Sequence, residues 1–158
     1  MTAAAEVIRR LAAWRLTLAT AESCTGGLLG AALTDVPGSS AVYRGGIISY
    51  ATEIKHQVLG VPAQVLDTLG PVSQPVAEAM ALGACRVLGA RVALSTTGLA
   101  GPGGDSFGNP VGRVWIACAW DGHVRARCCH FPGARQQVRQ AAVEQALAMI
   151  LTWEVEQP

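Results

Sequence analysis

Apolar residues Ala4, Ile8, Leu11 and Ala12 recur at helical spacing behind a capping residue at Thr2, which predicts an amphipathic helix over residues 3 to 14. The period then changes. LTLATA (16 to 21) is short and β-prone and runs into ESCTGG, where Ser23 or Thr25 is placed to cap a second helix reaching about Leu33. DVPGSS has loop chemistry, and AVYRGGIISYA reads as a strand whose two glycines call for a bulge or a close backbone approach. Thr52 is placed to cap the helix behind it. Pro62 and Gly70 bracket a short helix, and Ser73 opens a longer one with Val76, Met80, Ala84, Val87 and Leu88 on one face and Gly89 as its stop.

RVALSTTG is the next strand. The loop LAGPGGDSFGNPVG (99 to 112) holds too many chain breakers for regular structure and leads into RVWIACAW, where both alternating sets of positions are apolar. Such a strand is covered on both faces. Asp121 and Gly122 form a hairpin signal that pairs it with HVRARCCHF. A last helix, from about Arg135 to Trp153, buries Val138, Ala142, Met149, Ile150 and Trp153. Strands alternating with helices, then a hairpin and a terminal helix, predict one three-layer α/β/α domain over 1–158, with a mixed, mostly parallel sheet and an antiparallel edge hairpin.

Composition narrows the function classes. With 51% hydrophobic and 15% charged residues, the chain builds a full core without metals or disulfide staples. A net charge of +1 and dispersed basic residues supply no field for nucleic acid or a membrane surface. No apolar run approaches the ~20 residues of a membrane span, and the N-terminus lacks the pattern of a signal peptide. Five cysteines without paired spacing fit a reducing, cytoplasmic setting. The apolar content and two-faced strands are compatible with a homodimer.

Three segments place small polar residues or glycines just beyond strand ends, where open α/β sheets bind ligands: TAESCTGG, SYATEIK and STTGLAGPGG. In the first, the amides of Cys24, Thr25, Gly26 and Gly27 open a helix and favour an anion or a developing oxyanion. In the third, Gly98, Gly101, Gly103 and Gly104 leave backbone amides uncovered, as phosphate cradles do. Lys55 is the chain's one lysine beside eleven arginines. A lysine can lose its proton near neutral pH and an arginine cannot. At the N3 position of a helix capped by Thr52, the dipole disfavours its ammonium form, and burial adds to that, so it suits a general base toward a serine hydroxyl. The plain alternatives are a tight turn with a helix cap for each glycine segment and a solvated surface residue for Lys55.

TAESCTGG, DVPGSSAVYRGGIISYATEIKHQVLGV, GPVSQPVAEAMALGA, STTGLAGPGGDSFGNPVGRVW and FPGARQQVRQAAVEQAL together resemble the CinA C-terminal domain family, in the family's order and over roughly residues 6 to 152. The resemblance implies the activity of the family's stand-alone members, the nicotinamide-nucleotide amidohydrolases. They hydrolyse the carboxamide of nicotinamide mononucleotide to nicotinic acid mononucleotide and ammonia, without a metal or other cofactor. It further implies a serine assisted by a lysine and a tyrosine, with the motifs falling on Ser23, Ser40, Tyr50, Lys55 and Thr97 and on an arginine at the start of the last helix. On this reading Ser40 of PGSS is the nucleophile, Ser23 a hydrogen-bonding or proton-relaying partner, and Tyr50 a residue that passes a proton or orients the amide. Thr97 and the glycine loop hold substrate, and Arg135 or Arg139 pairs with the phosphate.

The sequence departs from the family pattern at Ala51 and Thr52, where many members have SN, at Ile54, where many have Ala, and at Asn109, often a lysine. The last change removes a phosphate contact. Many members also carry a long N-terminal domain outside this sequence. Two rivals stand beside the serine amidase. Cys24 is a thiol at a helix start, a position that often acidifies cysteine, although none of His56, His123 and His130 lies in a cysteine-hydrolase motif. The other rival is a nucleotide-binding or regulatory module that does no chemistry.

Overall fold

The computed structural model describes residues 1–153. Thr2 caps the first helix, α1 (Ala3–Ala13), by accepting from the Ala5 amide at 3.1 Å. The first strand, β1 (Leu18–Glu22), leads through a turn into α2 (Leu28–Thr34). A 3-10 turn over Ser39–Ala41 precedes β2 (Tyr43–Ile48). Two short helices, α3 (Thr52–Gln57) and α4 (Ala63–Leu69), precede the long α5 (Gln74–Leu88), capped by Ser73 and stopped by Gly89 in the left-handed region. Then follow β3 (Val92–Gly98), β4 (Arg113–Trp120), β5 (His123–His130) and α6 (Arg135–Leu151).

The five strands form one sheet in the order β2-β1-β3-β4-β5. β1 is parallel to both β2 and β3, whereas β4 runs antiparallel to β3 as well as to β5. Antiparallel pairing thus begins one strand before the hairpin, so parallel pairs do not predominate. The cause is the connection: residues 99–112 contain no crossover helix, and a parallel neighbour needs one. At the hairpin, Asp121 and Gly122 both adopt positive φ, 48° and 84°, as a type I′ turn requires.

Alternation along the strands sorts side chains between two helical layers. Leu18, Leu94, Ile116 and Cys118 pack with α1, α2 and α6 on one face. On the other, Ala19, Ala21 and Ala93 meet Val76, Met80 and Ala84 of α5 and Leu66 of α4. Small residues on that second face let α5 lie close to the sheet, and the Ser95 hydroxyl donates to the Ala77 carbonyl at 2.6 Å. Val87 does not share the buried face and stands exposed in the last turn of α5. Trp153 is half-buried: it stacks on Trp120 with ring centroids 5.7 Å apart, and the Arg125 guanidinium lies 4.4 Å over its ring.

Both expectations for the glycine pair in β2 hold. Register slips between the pairs Leu18–Tyr43 and Ala19–Gly45, leaving Arg44 as the extra residue of a bulge. A side chain at Gly46 would run into the Thr20 hydroxyl, which itself lies 2.6 Å from the Tyr43 hydroxyl. Among the described residues no helix is long and apolar enough to cross a membrane.

The topology fixes where a ligand can enter. From β1 the chain passes over one face through α2 to β2, then returns over the other face through α3, α4 and α5 to β3 on the opposite side of β1. Strand order reverses about β1, and the carboxyl ends of three parallel strands lie side by side there.

Candidate active site

Ser23, Ser49 and Gly98 occupy those three carboxyl ends. A cleft of about 240 Å³ opens beside them, lined by Ser23, Cys24, Tyr50, Lys55, Thr97 and Arg135 together with the 71–72 and 98–103 segments. Lys55 enters it from α3 with its side chain almost wholly covered, at 1% exposure. Its Nζ lies 2.8 Å from Ser23 Oγ, 2.5 Å from the Ser49 carbonyl oxygen and 3.4 Å from that of Tyr50. Ser49 is itself fixed: its amide donates to the Glu22 carbonyl at 2.8 Å, extending the β1–β2 ladder by one residue.

Burial pushes the Lys55 pKa down from 10.5 to about 8, opposed by the nearby Cys24 and Glu53. Three oxygens surround Nζ, so the charged amine donates to all of them; once it is neutral, two N–H groups serve the Ser49 and Tyr50 carbonyls and the lone pair faces the Ser23 hydroxyl. The expected helix position needs correction. Ala51, not Thr52, is the N-cap, without a side-chain bond, and this moves Lys55 from the third to the fourth helical residue. Desolvation rather than the helix end therefore lowers the pKa.

Ser40 does not join this group. It stands exposed in the 3-10 turn between α2 and β2 and is absent from the cleft lining, whereas Ser23 is 8% exposed and in contact with the amine. The expected pairing of Lys55 with Ser40 is replaced by a pairing with Ser23.

The turn after β1 also differs from expectation. Neither Ser23 nor Thr25 caps α2; its N-cap is Gly27, at φ 108°. Of the amides that were to attract an external anion, that of Gly27 is already occupied by the chain's own Glu22 and that of Gly26 by the Ser23 carbonyl. The Glu22 carboxylate accepts from Gly27 N at 3.2 Å, Leu29 N at 2.9 Å and Gly30 N at 3.0 Å, and from the Thr25 hydroxyl at 2.6 Å. Thr25 is buried and bonded further to Thr96 Oγ1 at 2.7 Å, so Thr25, Gly26 and Gly27 build the turn and do not line the cleft. Glu22 escaped the sequence reading although one signal was present: an acid ending an otherwise apolar strand just before a glycine turn.

The two arginines divide. Arg139 donates to the Cys24 carbonyl at 2.9 Å and the Thr25 carbonyl at 3.2 Å, clamping the turn from behind. Arg135 lies at the cleft, where Nη1 donates to the Gly101 carbonyl at 2.7 Å and Nη2 to the Tyr50 hydroxyl at 3.2 Å. Tyr50 is 63% exposed, a residue of the cleft mouth and not a half-buried packing group. Gly98, Gly101 and Gly103 line the wall, whereas Gly104 does not. The Thr97 hydroxyl donates to the Pro71 carbonyl at 2.6 Å, tying β3 to the 71–72 segment. Asn109 is engaged in holding its own loop through Asp105 Oδ2 at 2.7 Å and Arg113 at 3.0 Å.

Cys24 lines the cleft, but burial raises its thiol pKa to about 11 against the pull of Lys55 and Arg139. That is the opposite of an activated thiol. The histidines stand elsewhere: His56 bonds the Val61 carbonyl at 2.7 Å, His130 accepts from Arg113 at 3.1 Å, and His123 begins β5 at the hairpin.

Residues 1–153 match the CinA C-terminal domain family. A CinA-like protein of Gemmatimonas aurantiaca is 49% identical over 132 residues, covering 84% of this chain and 31% of its own length. One of Chlorobium limicola is 48% identical over 150 residues, covering 92% and 35%. This chain therefore spans about a third of the length of these curated relatives. Among solved structures, a competence-damaged protein (CinA) superfamily protein from Escherichia coli superposes with a TM-score of 0.92 at 37% identity, covering 94% of this chain and 87% of that one. A competence/damage inducible protein from Agrobacterium tumefaciens gives 0.87 at 39% identity, covering 96% and 95%. By sequence and by fold, the chain belongs to the CinA C-terminal domain family.

Proposed function

We propose that this protein is a serine amidohydrolase that converts nicotinamide mononucleotide to nicotinic acid mononucleotide and ammonia, with Ser23 as nucleophile and Lys55 as general base. The observation that carries the reading is the 2.8 Å contact between a buried lysine amine and a serine hydroxyl at the floor of a cleft. An amine with a pKa of about 8 is neutral in a useful fraction of molecules near physiological pH and remains a competent acid once protonated.

Ser23 Oγ attacks the carboxamide carbon while its proton passes to Lys55 Nζ. The tetrahedral oxyanion needs a donor, and the Cys24 amide beside the nucleophile, with no backbone acceptor among the described residues, suits that role. The carbon–nitrogen bond breaks as Lys55 returns the proton to the leaving group, which departs as ammonia. Water then attacks the acyl ester and gives a proton to Lys55, which restores the Ser23 hydroxyl as nicotinic acid mononucleotide is released. Arg135 and the amides of the 98–103 loop receive the phosphate, a remote anchor whose binding energy positions the reacting carbonyl.

Ammonia release from nicotinamide mononucleotide by Ser23→Ala and Ser40→Ala tests the assignment. Ser23→Ala is expected to lose on the order of a thousandfold or more in kcat. Ser40→Ala is expected to stay within about twofold. The reverse pattern overturns the choice of nucleophile, and nicotinamide riboside turning over as well as the mononucleotide removes the phosphate anchor.

A further inference from the structure

The carboxylate of Glu22 has no place in the reaction just described, yet it is buried at 2% exposure next to the nucleophile in sequence. We propose that Glu22 is a positioning residue that fixes the Ser23 hydroxyl against Lys55 by tying down the turn on which Ser23 sits. This rests on the reading of Ser23 as nucleophile.

Residue 22 holds both partners of the dyad. Its side chain gathers four donors from the segment that carries Ser23 onward: the Thr25 hydroxyl and the amides of Gly27 and Leu29 on Oε1, and the Gly30 amide on Oε2. Its backbone carbonyl accepts from the Ser49 amide at 2.8 Å, and the Ser49 carbonyl in turn accepts from Lys55 Nζ at 2.5 Å. The turn is short and tight, closed by Gly26 N donating to the Ser23 carbonyl at 3.1 Å, with Gly26 and Gly27 at φ 57° and 108°. A movement of α2 therefore passes directly to Ser23.

The chemistry of the four donors selects the residue type. They approach both oxygens, so the side chain must accept on each side and donate on neither. An amide of the same shape has one acceptor oxygen, and its NH₂ group would face either the Gly30 amide or the Gly27 and Leu29 amides. Glu22→Gln preserves volume and reach and leaves at least one buried donor opposed, which displaces the turn.

Two readouts test this: ammonia release from nicotinamide mononucleotide, and the rate at which phenylmethylsulfonyl fluoride sulfonylates Ser23, followed by mass spectrometry. The second forms the Ser23 Oγ–sulfur bond as fluoride leaves and the hydroxyl proton passes to Lys55, and it needs no nucleotide. Glu22→Gln is expected to fall about tenfold or more in kcat and equally in sulfonylation rate, with KM within about twofold and the pH midpoint of sulfonylation unchanged. Thr25→Val, which removes one donor at constant shape, is expected to fall several-fold in both, and Thr25→Ser to restore them.

Folded Glu22→Gln or Thr25→Val with wild-type sulfonylation overturns the proposal. A fall in sulfonylation accompanied by a shifted pH midpoint also overturns it, because Glu22 would then act on the base. Should Glu22→Gln fail to fold, the Thr25 pair decides alone. Wild-type protein that is sulfonylated at Ser23 yet releases no ammonia would sink the amidase reading while leaving the Glu22 test intact.

Discussion

Replacing Lys55 with methionine removes the ionisable group while keeping an unbranched side chain of similar length. Burial lowers the lysine pKa from 10.5 to about 8, and the side chain is only 1% exposed. A difference of roughly 2.5 units, at about 1.4 kcal/mol each, sets roughly 3.5 kcal/mol against the charged form in the folded state. The unfolded chain keeps its proton up to about pH 10.5 and the folded chain only to about 8. Between those values the unfolded state binds more protons, so this lysine's cost to stability shrinks as pH rises. It is fully present at pH 7 and roughly 1.5 kcal/mol at pH 9.5 on the same pKa values. The thiols of buried Cys24 and half-buried Cys85, raised from 9.0 to about 11, act in the opposite sense, because their unfolded forms ionise first. They are present in both proteins and drop out of the comparison to first order. Urea unfolding at pH 7 and 9.5, with the slope checked for constancy, measures the difference. Wild type is expected to gain about 2 kcal/mol relative to Lys55→Met between the two pH values, and the variant to lose ammonia release by at least roughly a hundredfold. A stability gap that stays constant with pH, or moves the other way, refutes a lysine held against its charge.

The pH–rate profile follows from the same group: kcat/KM should rise close to tenfold per pH unit below about 8 and level off above it, as the neutral amine fills. A profile flat from pH 6 to 9 removes Lys55 as the base. Arg135→Gln should raise KM for nicotinamide mononucleotide about tenfold or more with kcat little changed, the size of one lost charged hydrogen bond, in steady-state ammonia assays. An effect on kcat alone would place Arg135 at the reacting carbonyl instead. Cys24→Ala should keep most of the activity, since a thiol whose pKa is raised to about 11 supplies little thiolate, and a loss as deep as that of Ser23→Ala would restore the thiol as nucleophile.

The fold was legible where each element has a face of its own. The 3.6-residue period of α1, the breakers around α4 and α5, and the doubly apolar β4 each encode burial in one stretch of chain, and all lie within a residue or two of expectation. Antiparallel pairing of β3 with β4 was not legible in the strands themselves, whose composition is the same for either direction. It follows from the connection between them, where the 99–112 loop replaces a crossover helix. The caps failed for a different reason. Thr52 and Thr25 are correct residue types for an N-cap, but Ala51 holds the boundary of α3 and Glu22 supplies the acceptors at α2 from the strand behind it. Capping patterns read from sequence assume a local partner, and here the partner is five to eight residues away.

The site divides along the same line. Lys55 was legible because its side-chain chemistry is unlike that of the arginines around it, and Thr97, Gly98, Gly101, Gly103, Tyr50 and Arg135 because strand ends and glycine loops mark where a sheet opens. The serine was not. Ser23 and Ser40 both lie in turns of small residues, and the direction and register of β2 against β1 distinguish them. Glu22 pairs with Ile48 in that register, which brings the residue after each strand, Ser23 and Ser49, to the same edge of the sheet. Ser49 then offers its carbonyl to Lys55, and the amine reaches Ser23. Ser40 precedes β2 and so falls at the other end of the same strand. Strand direction thus decides which hydroxyl Lys55 can reach, and the bulge at Arg44 with the close approach of Gly46 to Thr20 holds the register that sets Ser23 beside Ser49.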